Sequence, residues 1–270
     1  MKGLLIYDTA GRARNEWFIA RLIEAAEELG HELELVICDT DTVADTDCDF
    51  AIVRTINPKL NAHFEELGIQ TFNNHRTSRI ANDKWQTYLF ARECGIPVMR
   101  TEKPTKDDQT WDILPYPFVV KAVDGHGGSE VFSADNEQKC KEIFTKIDVN
   151  RCICQELCSE VGVDMRVYML GGEVLAAAKR TSKTDFRSNF SLGGKAEIVA
   201  VPDEVKSVLK KVHSHLMCDF VGVDFIRHNG EWILNEIEDV VGTRMLYSLT
   251  DIDAAKEYVE YIIKKANTKV

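Results

Sequence analysis

No apolar run in this sequence approaches the roughly 18–20 residues that a membrane-spanning helix requires. The first apolar stretch, Leu4-Leu5-Ile6-Tyr7, is four residues long, far short of a signal-peptide core. Neither membrane insertion nor export is expected, and the predicted location is cytoplasmic. Positive charge is scarce too: 33 Lys and Arg face 44 Asp and Glu, a formal net charge of -11. A chain of that sign repels phosphate backbones, so no nucleic-acid partner is expected, although a local basic cleft can still hold one nucleotide. Low-complexity tracts and internal repeats are absent. The eight cysteines (Cys38, Cys48, Cys94, Cys140, Cys152, Cys154, Cys158 and Cys218) lack paired C-x-x-C spacing. They read as reduced thiols, and Cys152-Ile153-Cys154 as small hydrophobes in a strand rather than a zinc site. What is present is an ordinary globular composition, 270 residues with 44% apolar side chains and 16 glycines, enough for one large domain or two to three small ones.

Periodicity divides the chain. Strands are predicted at Gly3–Tyr7, His31–Cys38, Phe50–Val53 and Ile69–Phe72, with helices at Asn15–Leu29 and Pro58–Leu67. That order argues for a parallel-rich sheet covered by helices. A second unit begins near Ser78, with a helix over Asn82–Cys94, a polar loop over Thr101–Leu114, strands at Phe118–Val123, near Val131 and at Cys152–Glu156, and a helix over Asn136–Ile147. From Asp164 onward the pattern changes to antiparallel hairpins. Asp164–Leu170 pairs with Glu173–Arg180 across Gly171-Gly172, and Phe220–Arg227 with Glu231–Glu236 across His228-Asn229-Gly230. Helices Pro202–Met217 and Asp253–Ala266 flank the second hairpin.

Three stretches carry chemistry. Lys121-Ala122-Val123-Asp124-Gly125-His126-Gly127-Gly128-Ser129 is neither a P-loop nor a dinucleotide fingerprint. Its glycines nevertheless let backbone N–H groups approach an anion, with Lys121 as a point charge; an ordinary hairpin turn has the same composition. Asp224, in Val223-Asp224-Phe225, faces a neighbouring strand in which period-2 alternation puts Glu236 and Glu238 on one face. Three carboxylates meeting there need a cation, and hard oxygen ligands suit Mg²⁺; a solvated acidic strand end is the alternative. The polar segment from Arg180 through Arg187-Ser188-Asn189 to Gly193-Gly194 supplies cations and amides of the kind a triphosphate or acyl phosphate requires, or is simply a solvated basic loop. Arg166 alternates with apolar residues and is expected to face the same cleft. Arg12, Arg14 and Arg54 follow predicted strands, where ligand-facing loops of α/β sheets gather, which suggests a carboxylated substrate; surface charge explains them equally. The seven histidines form no ligand pattern, and no nucleophilic triad is visible.

In order, these pieces resemble the ATP-grasp superfamily, most closely its RimK-like branch of amino-acid ligases. The ordered string runs through Asn82-Asp83-Lys84, Pro117–Lys121, Gly125–Gly128, Gln155-Glu156-Leu157, Asp164-Met165-Arg166, Asp185–Asn189, Gly222-Val223-Asp224 and Asn235-Glu236-Ile237-Glu238. The resemblance implies an α+β chain of three subdomains: an α/β N-terminal one over 1–78, a central one with the glycine loop over 79–156, and a C-terminal one with the metal site over 157–270. ATP would lie between the last two. It further implies ATP contacts from Lys84, Lys121, Gly125, Gly127, Gly128, Gln155, Glu156, Leu157, Asp164, Arg187, Ser188 and Asn189, with Arg166, Arg180 and Asn189 acting in catalysis. Asp224, Glu236 and Glu238 would hold two Mg²⁺ ions, Mn²⁺ being an acceptable substitute. The implied activity is amide or peptide formation between a small carboxylate and an amine, an amino acid or peptide, through an acyl phosphate. A carrier protein and a homo-oligomer remain open. The same scaffold also suits a small-molecule kinase or an inactive nucleotide-binding module. Two departures stand out: Glu238 replaces the usual Asn of the branch, and the glycine loop ends in Ser129-Glu130, placing a carboxylate where a triphosphate is expected.

Overall fold

A computed structural model describes residues 1–44, 47–105, 111–125, 130–182 and 195–268. The N-terminal sheet contains β1 (Lys2–Tyr7), β2 (Glu32–Ile37), β3 (Phe50–Val53) and β4 (Gln70–Phe72), all parallel, in the order β2-β1-β3-β4. The crossovers are α1 (Thr9–Glu28) and α2 (Pro58–Glu66). Helix α1 starts six residues before its predicted Asn15. The Asp8 carboxylate caps it by accepting from the Gly11 N–H at 2.5 Å, and the helix bends at Asn15, whose φ/ψ of -126/21 is not helical. That bend hides the first turn from a search for helical periodicity.

Two short helices, α3 (His75–Ala81) and α4 (Lys84–Glu93), lead into the second sheet. Sequence periodicity predicts one helix from Asn82. In the structure Asp83 caps α4, accepting from the Trp85 and Gln86 N–H groups at 2.8 and 2.9 Å, and α3 is a separate element. The central sheet comprises β5 (Thr101–Glu102), β6 (Phe118–Ala122), β7 (Val131–Ala134) and β8 (Cys152–Glu156), antiparallel in the order β5-β8-β6-β7, with α5 (Glu137–Phe144) packed on it. Strand β5 lies where a loop is predicted. Two residues carry no readable alternation, and only pairing with β8 makes them a strand.

The C-terminal sheet is antiparallel, β11-β10-β9-β12-β13, built from β9 (Val163–Leu170), β10 (Glu173–Thr181), β11 (Lys195–Ile198), β12 (Phe220–His228) and β13 (Glu231–Glu238). Both predicted hairpins form. Gly171 and Gly172 turn the first at φ of +59 and +92°, against Tyr261 and His213, which leave no room for a β-carbon. Helices α6 (Asp203–Leu216), α7 (Arg244–Leu249) and α8 (Ala254–Asn267) complete the chain.

The alternation of β9 and β12 sets the architecture. Met165, Val167, Met169, Val221, Val223 and Phe225 point to one side and bury against Val205, Leu209 and Val212 of α6. The other side presents Tyr168, Leu170 and Phe220 to a core shared with Tyr7, Phe18 and Leu22 of the N-terminal sheet layer and Tyr258 and Ile262 of α8. Further along that second face, the apolar residues give way to charge. No helix among the described residues is long and apolar enough to cross a membrane.

Leu22 is fully buried in the shared core. Leu22→Ala is expected to cost about 2–5 kcal/mol through lost burial and the cavity left behind, read as a lower urea midpoint with unchanged native circular dichroism.

Candidate active site

The charged stretch of that face follows from register. Asp164 stands opposite Arg180, Arg166 opposite Asp224, and Asp224 opposite Glu236, while Glu238 lies one step along, opposite Gly222. Directly opposed residues of an antiparallel sheet share a face, so six charged side chains converge. Arg166 grips Asp224 through two bonds of 2.7 Å and reaches Glu238 at 2.7 Å. Arg180, 4% exposed, bonds Asp224 at 2.9 Å and also pairs with Asp164. The absence of a β-carbon at Gly222 leaves Val241 and Arg166 packed over its α-carbon.

Helix α4 and strand β6 supply two lysines. Lys84, the first residue of α4, lies 3.3 Å from Glu236 and donates to the Gly125 carbonyl at 2.5 Å. Lys121, on β6, donates to Gln155 Oε1 at 2.7 Å and to Asn235 Oδ1 at 3.0 Å. Gln155 is itself held by donating to Thr101 of β5. A cavity beside these lysines is lined by Thr87, Tyr88, Val98, Ile153, Gln155 and Leu234, among others.

Electrostatics follow from burial and pairing. Burial pulls the Lys121 ammonium down to about 8, only partly opposed by Glu236. Burial would raise Asp224, but Arg166 and Arg180 reverse it and hold its carboxyl at about 2. Burial likewise works against ionised Glu236, and Lys84 leads the groups that keep it below its ordinary value. Burial pushes Glu238 up to about 7, opposed by Arg166 and reinforced by Asp224 and Glu236. Glu238 is therefore a carboxyl that Arg166 only partly compensates.

One oxygen from each of Asp224, Glu236 and Glu238 lies within 4.8 Å of the others. Three hard oxygen donors at that spacing, two of them about a quarter exposed, fit Mg²⁺. The sequence places Glu236 and Glu238 on one face with Asp224 beside them, and the structure gathers the same three. Both oxygens of Glu130 bond Arg151, at 3.2 and 3.1 Å.

Several expected site residues are placed differently. The Arg180 guanidinium and the Asp164 carboxylate are bound to each other, so neither presents itself openly to a ligand. Gln155 is 6% exposed, with its amide engaged by Lys121 and Thr101. Glu156 is exposed and Leu157 half-buried at the end of β8. Arg54 does not line an open cleft; it is 4% exposed, lies over the Phe18 ring and donates to the Val241 carbonyl at 2.8 Å. Gly127, Gly128, Arg187, Ser188 and Asn189 lie outside the described residues. Sequence reasoning missed Asn235 as a lysine partner, because alternation puts it on the face opposite Glu236. A β-bulge, where the register shifts between Asp224 and Phe225, admits Asn235 as an extra residue and turns it toward Lys121.

The three sheets in this order, with Lys84 of α4 and Lys121 of β6 meeting Glu236 and Asn235 of β13, make an ATP-grasp fold. A model of the RimK-like ATP-grasp domain matches residues 81–262, and the chain belongs to that family. Among solved structures, a RimK domain ATP-grasp protein from Sphaerobacter thermophilus superposes with a TM-score of 0.74 at 16% identity, covering 97% of this chain and 99% of that one. D-alanine–D-alanine ligase from Bacillus anthracis complexed with ATP gives 0.75 at 17%, covering 100% and 98%. At such identities the likeness speaks for the fold alone. Among relatives, a probable alpha-L-glutamate ligase from Legionella pneumophila (strain Corby) is 29% identical over 212 residues, 76% of this chain and 70% of that protein. Another, from Methanococcoides burtonii, is 26% identical over 281 residues, 94% of this chain and 93% of its own.

Removing Arg166 leaves Asp224 and Glu238 short of their counterion. Arg166→Met is expected to destabilise the protein by about 3–5 kcal/mol, the usual cost of orphaning buried charge. Adding Asp224→Asn should recover part of the loss, measured by urea denaturation of both variants.

Proposed function

We propose that the protein is an ATP-dependent carboxylate–amine ligase that joins an amino acid or peptide to a second small substrate through an acyl phosphate. The observation that carries the reading is the approach of Lys84 to Glu236 at 3.3 Å, where the lysines of α4 and β6 face the acidic residues of the C-terminal sheet. A metal-bound triphosphate has the complementary charge for both walls. The names of the relatives, probable alpha-L-glutamate ligases, favour an amino-acid substrate. We divide the chain functionally at 1–78, 79–156 and 157–270, with ATP between the last two parts.

In this reading Lys84 and Lys121 bind phosphate oxygens, Lys121 regaining full charge as the anion arrives. Gln155 and Asn235 orient Lys121. Asp224, Glu236 and Glu238 would hold Mg²⁺, two ions in the full complex, which supplies neutralisation of charge on the transferring phosphoryl group. Arg166 fixes Asp224 and Glu238, and Arg180 fixes Asp164 and Asp224, so that the acidic wall is preorganised rather than assembled at the moment of reaction. A substrate carboxylate oxygen attacks the γ-phosphorus as the bond to ADP breaks. The amine nitrogen then attacks the acyl carbon, the carbon–oxygen bond to phosphate breaks, and the nitrogen loses a proton. Phosphate leaves carrying one oxygen of the original carboxylate.

That last feature is the test. With a carboxylate labelled in oxygen-18 and a panel of amino acids as amines, label is expected in the released phosphate together with a product of amide mass. Phosphorylation of a hydroxyl, or ATP hydrolysis alone, leaves the phosphate unlabelled and overturns the reading. Glu236→Gln is expected to lower turnover by about 100-fold or more, as loss of one charge-stabilising group at such a centre does.

Lys121 gives a second, pH-dependent test. Its folded value of about 8 lies below the ordinary 10.5, and a bound polyphosphate raises it again. Nucleotide binding therefore takes up a proton above about pH 8, and affinity falls as pH climbs through that range. Calorimetry in two buffers of different ionisation enthalpy should show the uptake, and Lys121→Met should abolish it.

A further inference from the structure

Two carboxylates beside the glycine-rich segment carry a feature that nucleotide binding does not by itself explain. Asp124 and Glu130, the residues just outside Gly125 and Ser129, both carry carboxylates, and both are held by one side chain. Arg151 closes a short 3₁₀ turn, Val149–Arg151, directly before β8. Its Nε lies 2.8 Å from one oxygen of Asp124 and 3.0 Å from the other, while Nη1 and Nη2 bond the two oxygens of Glu130 at 3.2 and 3.1 Å. The backbone joins the same arrangement. Val123 N–H donates to the Arg151 carbonyl at 2.9 Å, and Ala122 N–H to the Glu130 carbonyl at 3.1 Å.

We infer that Arg151 is a positioning residue for phosphate binding: its guanidinium bridges Asp124 and Glu130 and holds both negative charges off the phosphate-binding lysines. The inference rests on the nucleotide-binding part of the reading above. Ion pairs as exposed as these, with side-chain exposures of 44% for Arg151, 52% for Asp124 and 36% for Glu130, add little to folding stability. What the fork fixes is the place of the charge. Glu130 is folded back over Gly125, so that a β-carbon built there would stand 3.4 Å from Glu130 Oε2. The carbonyl of that same Gly125 accepts from Lys84, which in turn meets Glu236. Glu130 therefore sits one residue from the lysine contact. Released from Arg151, its carboxylate competes with phosphate for Lys84 and repels the incoming anion. Lysine cannot replace arginine here, because one ammonium does not span two carboxylates in a fixed fork.

The test reads binding of ATP and ADP with Mg²⁺ by calorimetry, together with the melting temperature of the nucleotide-free protein. Arg151→Met is expected to weaken nucleotide binding about tenfold, the effect of uncovering one or two partly screened charges near a polyphosphate, with little change in melting temperature. Arg151→Lys should recover only part of the loss. Asp124→Asn with Glu130→Gln, added to Arg151→Met, should restore most of the affinity, which a purely structural defect would not allow. Affinity unchanged in Arg151→Met, or a loss that neutralising both carboxylates does not repair, overturns the inference. A parent protein that binds no nucleotide overturns the nucleotide reading as well, whereas a parent that binds nucleotide but forms no amide overturns the ligase reading alone.

Discussion

Arg166 and Arg180 make the acidic wall of this protein tolerable. Asp224 is 2% exposed and stands beside Glu236 and Glu238; three uncompensated carboxylates at that spacing would take up protons or push the strands apart. Two guanidiniums from β9 and β10 hold Asp224 ionised, and Lys84 does the same for Glu236 from across the cleft. The wall is thus charge-compensated as it stands, through bonds from three other elements. Among the described residues, Glu238 is bonded by one branch of Arg166, and burial leaves it the least compensated of the three.

The same sheet face carries two jobs. Toward one end, Tyr168, Leu170 and Phe220 bury against the N-terminal layer and α8; toward the other, the equivalent positions are charged. Core packing at one end fixes the strand positions, and antiparallel register carries that precision to the charged end. The N-terminal layer reaches further through Arg54, whose bond to the Val241 carbonyl ties the end of β3 to the chain that leaves β13. The central sheet contributes through side chains of short reach: Lys121, steadied by Gln155 and, beyond it, Thr101 of the two-residue strand β5.

Much of this was legible beforehand where chemistry and periodicity coincide. The carboxylate trio, both hairpins and the parallel-rich character of the first sheet all follow from alternation, turn residues and spacing. Less legible were features set by partners distant in sequence. The first turn of α1 lacks helical patterning and depends on the Asp8 cap; β5 exists only because β8 lies beside it; Asn235 reaches Lys121 only because a bulge interrupts alternation. Arg54, Asp164 and Arg180 look like free charged groups in a linear reading, and each is spent on an internal contact.

The sequence by itself determined the residue types of the site and the elements that bear them, because hairpin turns and period-2 patterning are local properties. It also determined that Glu238 and Glu130 bring extra negative charge. Only the tertiary structure decided how that charge is balanced, since the counterions come from other strands: Arg166 and Arg180 for the acidic wall, Arg151 for Glu130. Charge balance depends on distances through space, and those distances exist only once the sheets have paired.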